Sequence, residues 1–197
     1  MTVEGGAADK GVLVRRLAHF AIALAPLYYL LPVQLPFIGV RRWVLLIAFF
    51  ASVAAFEHWR HAKGVTFLGL RPHERWAVAS FLWAAAGITI VLWMFPHELA
   101  SASLVAMAVA DPLAGELRRH GKGLVIVVSL EGTTYLLLAF AVLVHTGPWS
   151  LASSLLLALV GAIVAVPAEC VKTRYVDDDF SMLVLPAIAM TLVAGLA

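Results

Sequence analysis

Seven apolar stretches, each long enough to cross a bilayer as a helix, leave this chain few other ways to fold. A helix needs roughly 20 apolar residues to span the hydrocarbon core. Runs near 14–32, 40–58, 76–95, 98–117, 123–146, 149–169 and 180–197 have about that length. In hydrocarbon the backbone must satisfy its own hydrogen bonds, so such runs form helices. Of the 197 residues, 62% are hydrophobic and 13% charged; soluble domains run at about 45–50% and about 25%. The expected fold class is therefore an all-α integral membrane bundle of about seven transmembrane helices. Residues 1–12 are polar and Gly/Ala-rich and read as a flexible tail; 13–197 read as one transmembrane domain without internal repeats. The apolar run after Arg15-Arg16 is long enough to span and reads as retained rather than as a cleaved leader. A single cysteine, Cys170, excludes an internal disulfide.

The bases orient the bundle. With the N-terminus cytoplasmic, 12 of the 14 lysines and arginines fall in inner segments, and only Arg41 and Arg42 fall outside. That asymmetry is the positive-inside pattern. The preference for Arg over Lys, with abundant Ala, Leu and Val, points to a prokaryotic cell membrane. Trp43, Trp59, Trp76, Trp93 and Trp149 lie near the expected boundaries, as an interfacial belt does.

This orientation gathers chemistry on the cytoplasmic side. Asp111 falls near the inner end of the fourth run, Glu131 inside the fifth, Glu169 at the end of the sixth, and Asp177-Asp178-Asp179 before the seventh. Between Asp111 and Glu131 stand Gly115, Arg118, Arg119, Gly121 and Lys122, then Ser129; Gly132 follows Glu131, and Lys172 follows Glu169. Intramembrane ionisable groups are functional candidates by default. Carboxylates that hold a divalent metal, beside bases that hold phosphate, suggest a polyphosphate ligand at the membrane surface. The plainer alternatives are a structural partner for Glu131, a membrane-anchoring role for Arg118, Arg119 and Lys122, and a solvated Asp177–Asp179 loop. Gly115, Glu116 and Gly121 read as a loop approaching phosphate. Glu57, Arg60 and His61 share a helix face and read as a local ion pair. Arg71 to Arg75 reads as the start of the third helix. The seven histidines are scattered with no HExxH, which argues against zinc.

Taken together, Ala110-Asp111 with Ala114 and Gly121-Lys122, then Ser129-Leu130-Glu131-Gly132-Thr133, then Glu169 and Asp177-Asp178-Asp179, resemble the motifs of the polyprenol kinase family. That family includes dolichol kinase, phytol kinase and CTP-dependent diacylglycerol kinase, and is related to phosphatidate cytidylyltransferases. Arg16 and His19 resemble its first-helix start, and Glu57 with Arg60 the end of its second helix. The sequence departs at Ala110, where the family has Gly; at Val128, where it has Lys; and at Asp179, where it has Asn. The resemblance implies a lipid-alcohol kinase that moves the γ-phosphoryl of a nucleoside triphosphate, CTP by analogy, to an isoprenoid alcohol or diacylglycerol. It implies Mg²⁺ as cofactor and an active site facing the cytoplasm, with no nucleic acid partner. Catalysis falls to Asp111 and Glu131, with Glu131 as base or second metal ligand. Phosphate binding falls to Gly115, Arg118, Arg119, Gly121, Lys122, Ser129, Gly132 and Lys172. Metal binding falls to Asp111, Glu169, Asp177 and Asp178. The alternatives are a cytidylyltransferase making a CDP-lipid and an inactive or transport-type membrane protein.

Overall fold

The computed structural model describes residues 3–36, 39–170 and 176–196, with side chains from Lys10 onward. The described residues form seven α-helices: α1 Val3–Ile22, α2 Trp43–Lys63, α3 Ser80–Met94, α4 His97–Arg119, α5 Leu124–Thr146, α6 Leu151–Cys170 and α7 Asp178–Ala194. Short 3-10 turns at Ala25–Leu30 and Pro72–Arg75 interrupt the connections. Extended pairing among the described residues is limited to one bridge, Gln34 with Arg41. The all-α expectation therefore holds. The segments Lys10–Leu30, α2, α4, α5 and α6 are long and apolar enough to cross a membrane; α3 is apolar but shorter. The backbone is already helical from Val3, so α1 takes in most of the stretch expected as a tail.

Helix α4 is the hub, packing against α1, α3, α5, α6 and α7. Its sequence explains this. Ala100, Ala102, Ala106, Ala108, Ala110 and Ala114 are all fully buried, and small side chains let helix backbones approach closely where lipid gives no hydrophobic drive. Leu99, Leu104 and Met107 fill the spaces between. A hydroxyl chain crosses the core: Tyr135 Oη of α5 donates to Ser103 Oγ at 3.4 Å, and Ser103 Oγ donates to the Leu183 carbonyl of α7 at 2.8 Å. At Gly87 a Cβ would stand 2.9 Å from Leu183 Cδ1, so the α3–α7 contact is close there and a larger residue would push the Leu183 side chain aside.

The end of α4 corrects one expectation. Gly115 and Glu116 belong to the helix, not to a loop. Gly121 adopts φ +67°, and the amides of Gly121 and Lys122 donate to the carbonyls of Arg118 and Leu117, each at 3.0 Å. This is a Schellman C-cap, for which glycine is the usual solution. Gly121 thus ends a helix, and Lys122 is exposed beyond it.

The loop after α2 is held by a closed ionic network. Arg60 Nε and Nη2 donate to Glu57 Oε2 at 2.6 Å and Oε1 at 2.7 Å. Glu57 Oε1 also accepts the Ala79 amide at 2.9 Å, and Arg60 Nη2 donates to the Ala77 carbonyl at 3.2 Å. Glu74 accepts the amides of Arg71 at 2.6 Å and Ser80 at 2.9 Å. The stretch 71–75 is therefore a capped 3-10 turn that joins α2 to α3, not the first turn of α3, which begins at Ser80. At the other end of the bundle, Arg42 donates to the carbonyls of Tyr29 and Leu31 at 3.2 and 3.0 Å and lies over the Tyr28 ring.

Candidate active site where two cavities meet

Two cavities open beside His19. One, of about 550 Å³, is lined by Arg15, Arg16, Arg71, Arg118 and Arg119 and by Asp111, Glu116, Glu169 and Asp178. The other, of about 290 Å³, is apolar over most of its wall. It is built from Val14, Ala18 and Ile22 of α1, Phe49 and Val53 of α2, Phe81, Ala84 and Ile88 of α3, and the Phe67–Leu70 loop, with Asp179 at one end. Both are lined by Arg15 and His19. A charged chamber and an oily slot thus share a wall at one turn of α1.

Three groups from three different helices converge here. His19 Nε2 stands 3.4 Å from Asp111 Oδ2 of α4 and 3.9 Å from Asp179 Oδ1 of α7. One ligand atom from each of the three lies within 4.8 Å of the others, a spacing compatible with a metal ion; Asp177, Asp178 and Asp179 form a second such group. Pro112 follows Asp111 inside α4. It cannot donate to the carbonyl one turn earlier, which loosens the helix beside the site.

Arg118 sits at the far wall. Its guanidinium makes a two-pronged pair with the Glu169 carboxylate, while Nη2 lies 3.7 Å from Glu131 Oε2. Glu131 is fully buried and neither of its oxygens accepts a hydrogen bond among the described residues. Arg16 pairs with Glu116 across α1 and α4, and Arg119 lies 3.9 Å from Glu116. On the opposite side Arg71 Nη1 reaches Asp177 Oδ2 at 3.4 Å and Asp178 Oδ1 at 3.6 Å. Asp177 caps α7 by accepting the Asp179 amide at 3.2 Å. Burial, reinforced by the neighbouring Asp178 carboxylate and opposed by Arg71, pushes the Asp177 carboxyl up to about 6.

Of the residues expected from sequence, Asp111, Gly115, Arg118, Arg119, Glu169 and Asp178 line the charged cavity. Asp177 stands beside it through Arg71. A Cβ at Gly115 would meet nothing within 4 Å, so that position leaves open space for a ligand. The other phosphate candidates are elsewhere. Lys122 and Ser129 are exposed and line neither cavity. Gly132 packs against α6, where a Cβ would stand 3.4 Å from Val166 Cγ2. Lys172 lies outside the described residues. Glu131 lines neither cavity, so it is not placed as a base toward a substrate in either one. Glu169 is engaged by Arg118 through both oxygens, which leaves it poorly suited to metal binding. Asp111 accepts no hydrogen bond among the described residues and does suit a cation.

The sequence assigned no site role to Arg15 or Arg71; Arg16 and His19 entered only through the family resemblance, and Asp179 only within the Asp177–Asp179 run, without a ligand role of its own. The three on α1, Arg15, Arg16 and His19, lie within about one helical turn and so share one end of a face. That spacing was the available signal. Arg71 and Asp179 depend on how distant segments meet. No protein-family model, curated protein or solved structure matches this chain.

Proposed function

We propose that this chain is a membrane lipid-alcohol kinase: it transfers the γ-phosphoryl of a nucleoside triphosphate, CTP by resemblance, to the hydroxyl of an isoprenoid alcohol or diacylglycerol. The observation that carries this reading is the shared wall at His19, where a cavity rich in arginine meets one rich in phenylalanine and alanine. A triphosphate and a lipid tail need opposite solvents, and a kinase joining them needs both within bonding distance. Phosphoryl transfer asks mainly for alignment and charge neutralisation, because its transition state spreads charge over the phosphoryl oxygens. Arginines supply that through forked donors to phosphate. Arg15 and Arg71 take the side near His19, and Arg118 and Arg119 the far side. A divalent cation would be held at Asp111 and would supply positive charge to neutralise the phosphoryl oxygens as charge develops. Glu131 then acts through Arg118, steadying the guanidinium between two carboxylates.

In this reading all seven helices cross the membrane with the N-terminus cytoplasmic and the charged cavity facing the cytosol. Helix α3 has 15 residues and α7 has 17, or about 22 and 25 Å at ~1.5 Å per residue. Both begin on the side of the charged cavity, where a polar chamber reduces the hydrocarbon to be crossed. Arg42, one of the two bases on the outer side, is held by two carbonyls and a tyrosine ring.

The test uses purified protein in detergent with Mg²⁺, γ-labelled CTP or ATP, and a panel of lipid alcohols. Label appearing on a lipid supports the kinase and names donor and acceptor together. Release of pyrophosphate from CTP and phosphatidic acid, without label transfer, would replace it with the cytidylyltransferase reading.

A further inference from the structure

We propose that His19, Asp111 and Asp179 form a mixed imidazole–carboxylate metal site that takes transition-metal divalent cations such as Mn²⁺ in preference to Mg²⁺. The three residues come from α1, α4 and α7, so tertiary packing alone brings them together. Their separations of 3.4 and 3.9 Å exceed those of ordinary hydrogen bonds. They fall within the reach of one shared ion: atoms each about 2.1 Å from a common centre lie roughly 3.0–3.4 Å apart when adjacent, which the 3.4 Å separation meets, and up to about 4.2 Å apart when opposite, which leaves the 3.9 Å separation for a wider angle.

The charges are unbalanced without a cation. The Asp111 and Asp179 side chains are 17% and 5% exposed. Among the described residues neither forms an ion pair with Lys or Arg; Arg71 reaches Asp177 and Asp178 instead. Two largely buried carboxylates facing one imidazole are costly unless something positive sits between them. His19 itself is buried and makes no hydrogen bond among the described residues, its buried Nδ1 being unpartnered there. Nothing else therefore fixes the ring in the orientation that aims Nε2 at both carboxylates, and a metal bond would do so.

The donor set decides the metal class. Mg²⁺ prefers oxygen ligands in near-ideal octahedral geometry and keeps its waters. Imidazole nitrogen favours first-row transition ions, and carboxylates keep Mn²⁺ among them. The Glu57–Arg60 pair, by contrast, has its carboxylate fully taken by donors and offers an ion nothing.

The experiment uses untagged full-length protein in detergent with Mn²⁺ alone, without nucleotide or lipid, so its result does not depend on whether the chain is a kinase. Pulsed electron paramagnetic resonance of bound Mn²⁺ should show modulation from one imidazole nitrogen. Competition should place Mn²⁺ at least about tenfold tighter than Mg²⁺. His19→Gln should remove the nitrogen signal and weaken Mn²⁺ by about tenfold or more, with Mg²⁺ little changed. His145→Gln, at an exposed residue on the last turn of α5, should change neither. If His19→Gln does not fold, Asp179→Asn, with weaker Mn²⁺ binding and the nitrogen signal kept on the remaining ion, serves in its place. Bound Mn²⁺ without nitrogen modulation, modulation that survives His19→Gln, or no Mn²⁺ binding at all would overturn the proposal. Kinase activity accompanied by any of these would leave the proposed function standing and remove only the metal site.

Discussion

Two clusters of buried charge stand in this molecule, and they are built on opposite plans. Around Glu57 and Arg60 the charges are met: the guanidinium, the carboxylate, and amides and carbonyls from residues 71–80 close on one another. Around His19, Asp111 and Glu131 the accounts stay open. The imidazole makes no hydrogen bond among the described residues, Glu131 accepts none, and Arg118 is divided between two carboxylates. A buried charge that is fully satisfied holds a loop in place. One left unsatisfied at the wall of a cavity is arranged for something that arrives later. The same residue types thus do structural work in one cluster and, in our reading, chemical work in the other.

Substitutions sharpen this contrast. The largest effect is expected on turnover. Asp111→Asn should lower lipid phosphorylation by about a thousandfold or more, the scale seen when a centre that stabilises charge is removed, while thermal unfolding in detergent stays near wild type. Near-normal activity would remove Asp111 from the site. Next comes Arg60→Leu, which strands Glu57 in the closed cluster and should cost about 3–5 kcal/mol of stability, read as a fall in unfolding temperature. Glu131→Gln should behave in the opposite way: the amide keeps the shape and removes an unsatisfied charge, so stability should hold or rise even as phosphoryl transfer falls. A loss as large as that of Arg60→Leu would show that the two clusters are alike after all.

The smallest effect concerns Asp177. Its carboxyl is pushed up to about 6, chiefly by burial, whereas in an unfolded chain it titrates near 3.9. Between those values the folded state binds more protons than the unfolded one, so this group makes the protein less stable as pH rises from about 4 to 6. Asp177→Asn keeps a helix-capping side chain and removes that penalty. It should raise the unfolding temperature by about 1–3 °C at pH 7.5 and leave it unchanged near pH 4. An equal shift at both pH values would assign the effect to capping or to Arg71 rather than to titration.

Helix content was legible because apolar length needs no knowledge of neighbours, and α4, α5 and α6 begin and end within a few residues of the expected bounds. Asp111 stood out for the same reason, as an acid followed by proline inside an apolar run. What failed was local inference about glycine. Gly115, Gly121 and Gly132 looked alike in sequence, yet one lines a cavity, one caps a helix and one admits Val166 of the next helix. Chain context alone does not separate these uses. That His19 meets Asp111 and Asp179 was not legible, because the juxtaposition arises only when α1, α4 and α7 pack together. Arg71 was missed because Glu74 folds its segment into a turn rather than into α3.

The central claim is that nucleotide and lipid reach His19 through different cavities. Ala84→Trp tests it most directly, because Ala84 lines the apolar cavity and not the charged one. Nucleotide affinity and lipid phosphorylation should be measured on the same preparation of this variant and of wild type. The account predicts nucleotide binding within about twofold of wild type and lipid phosphorylation reduced at least about tenfold, the penalty expected when a substrate no longer fits its pocket. Phosphorylation at the wild-type rate with the apolar cavity filled would contradict it.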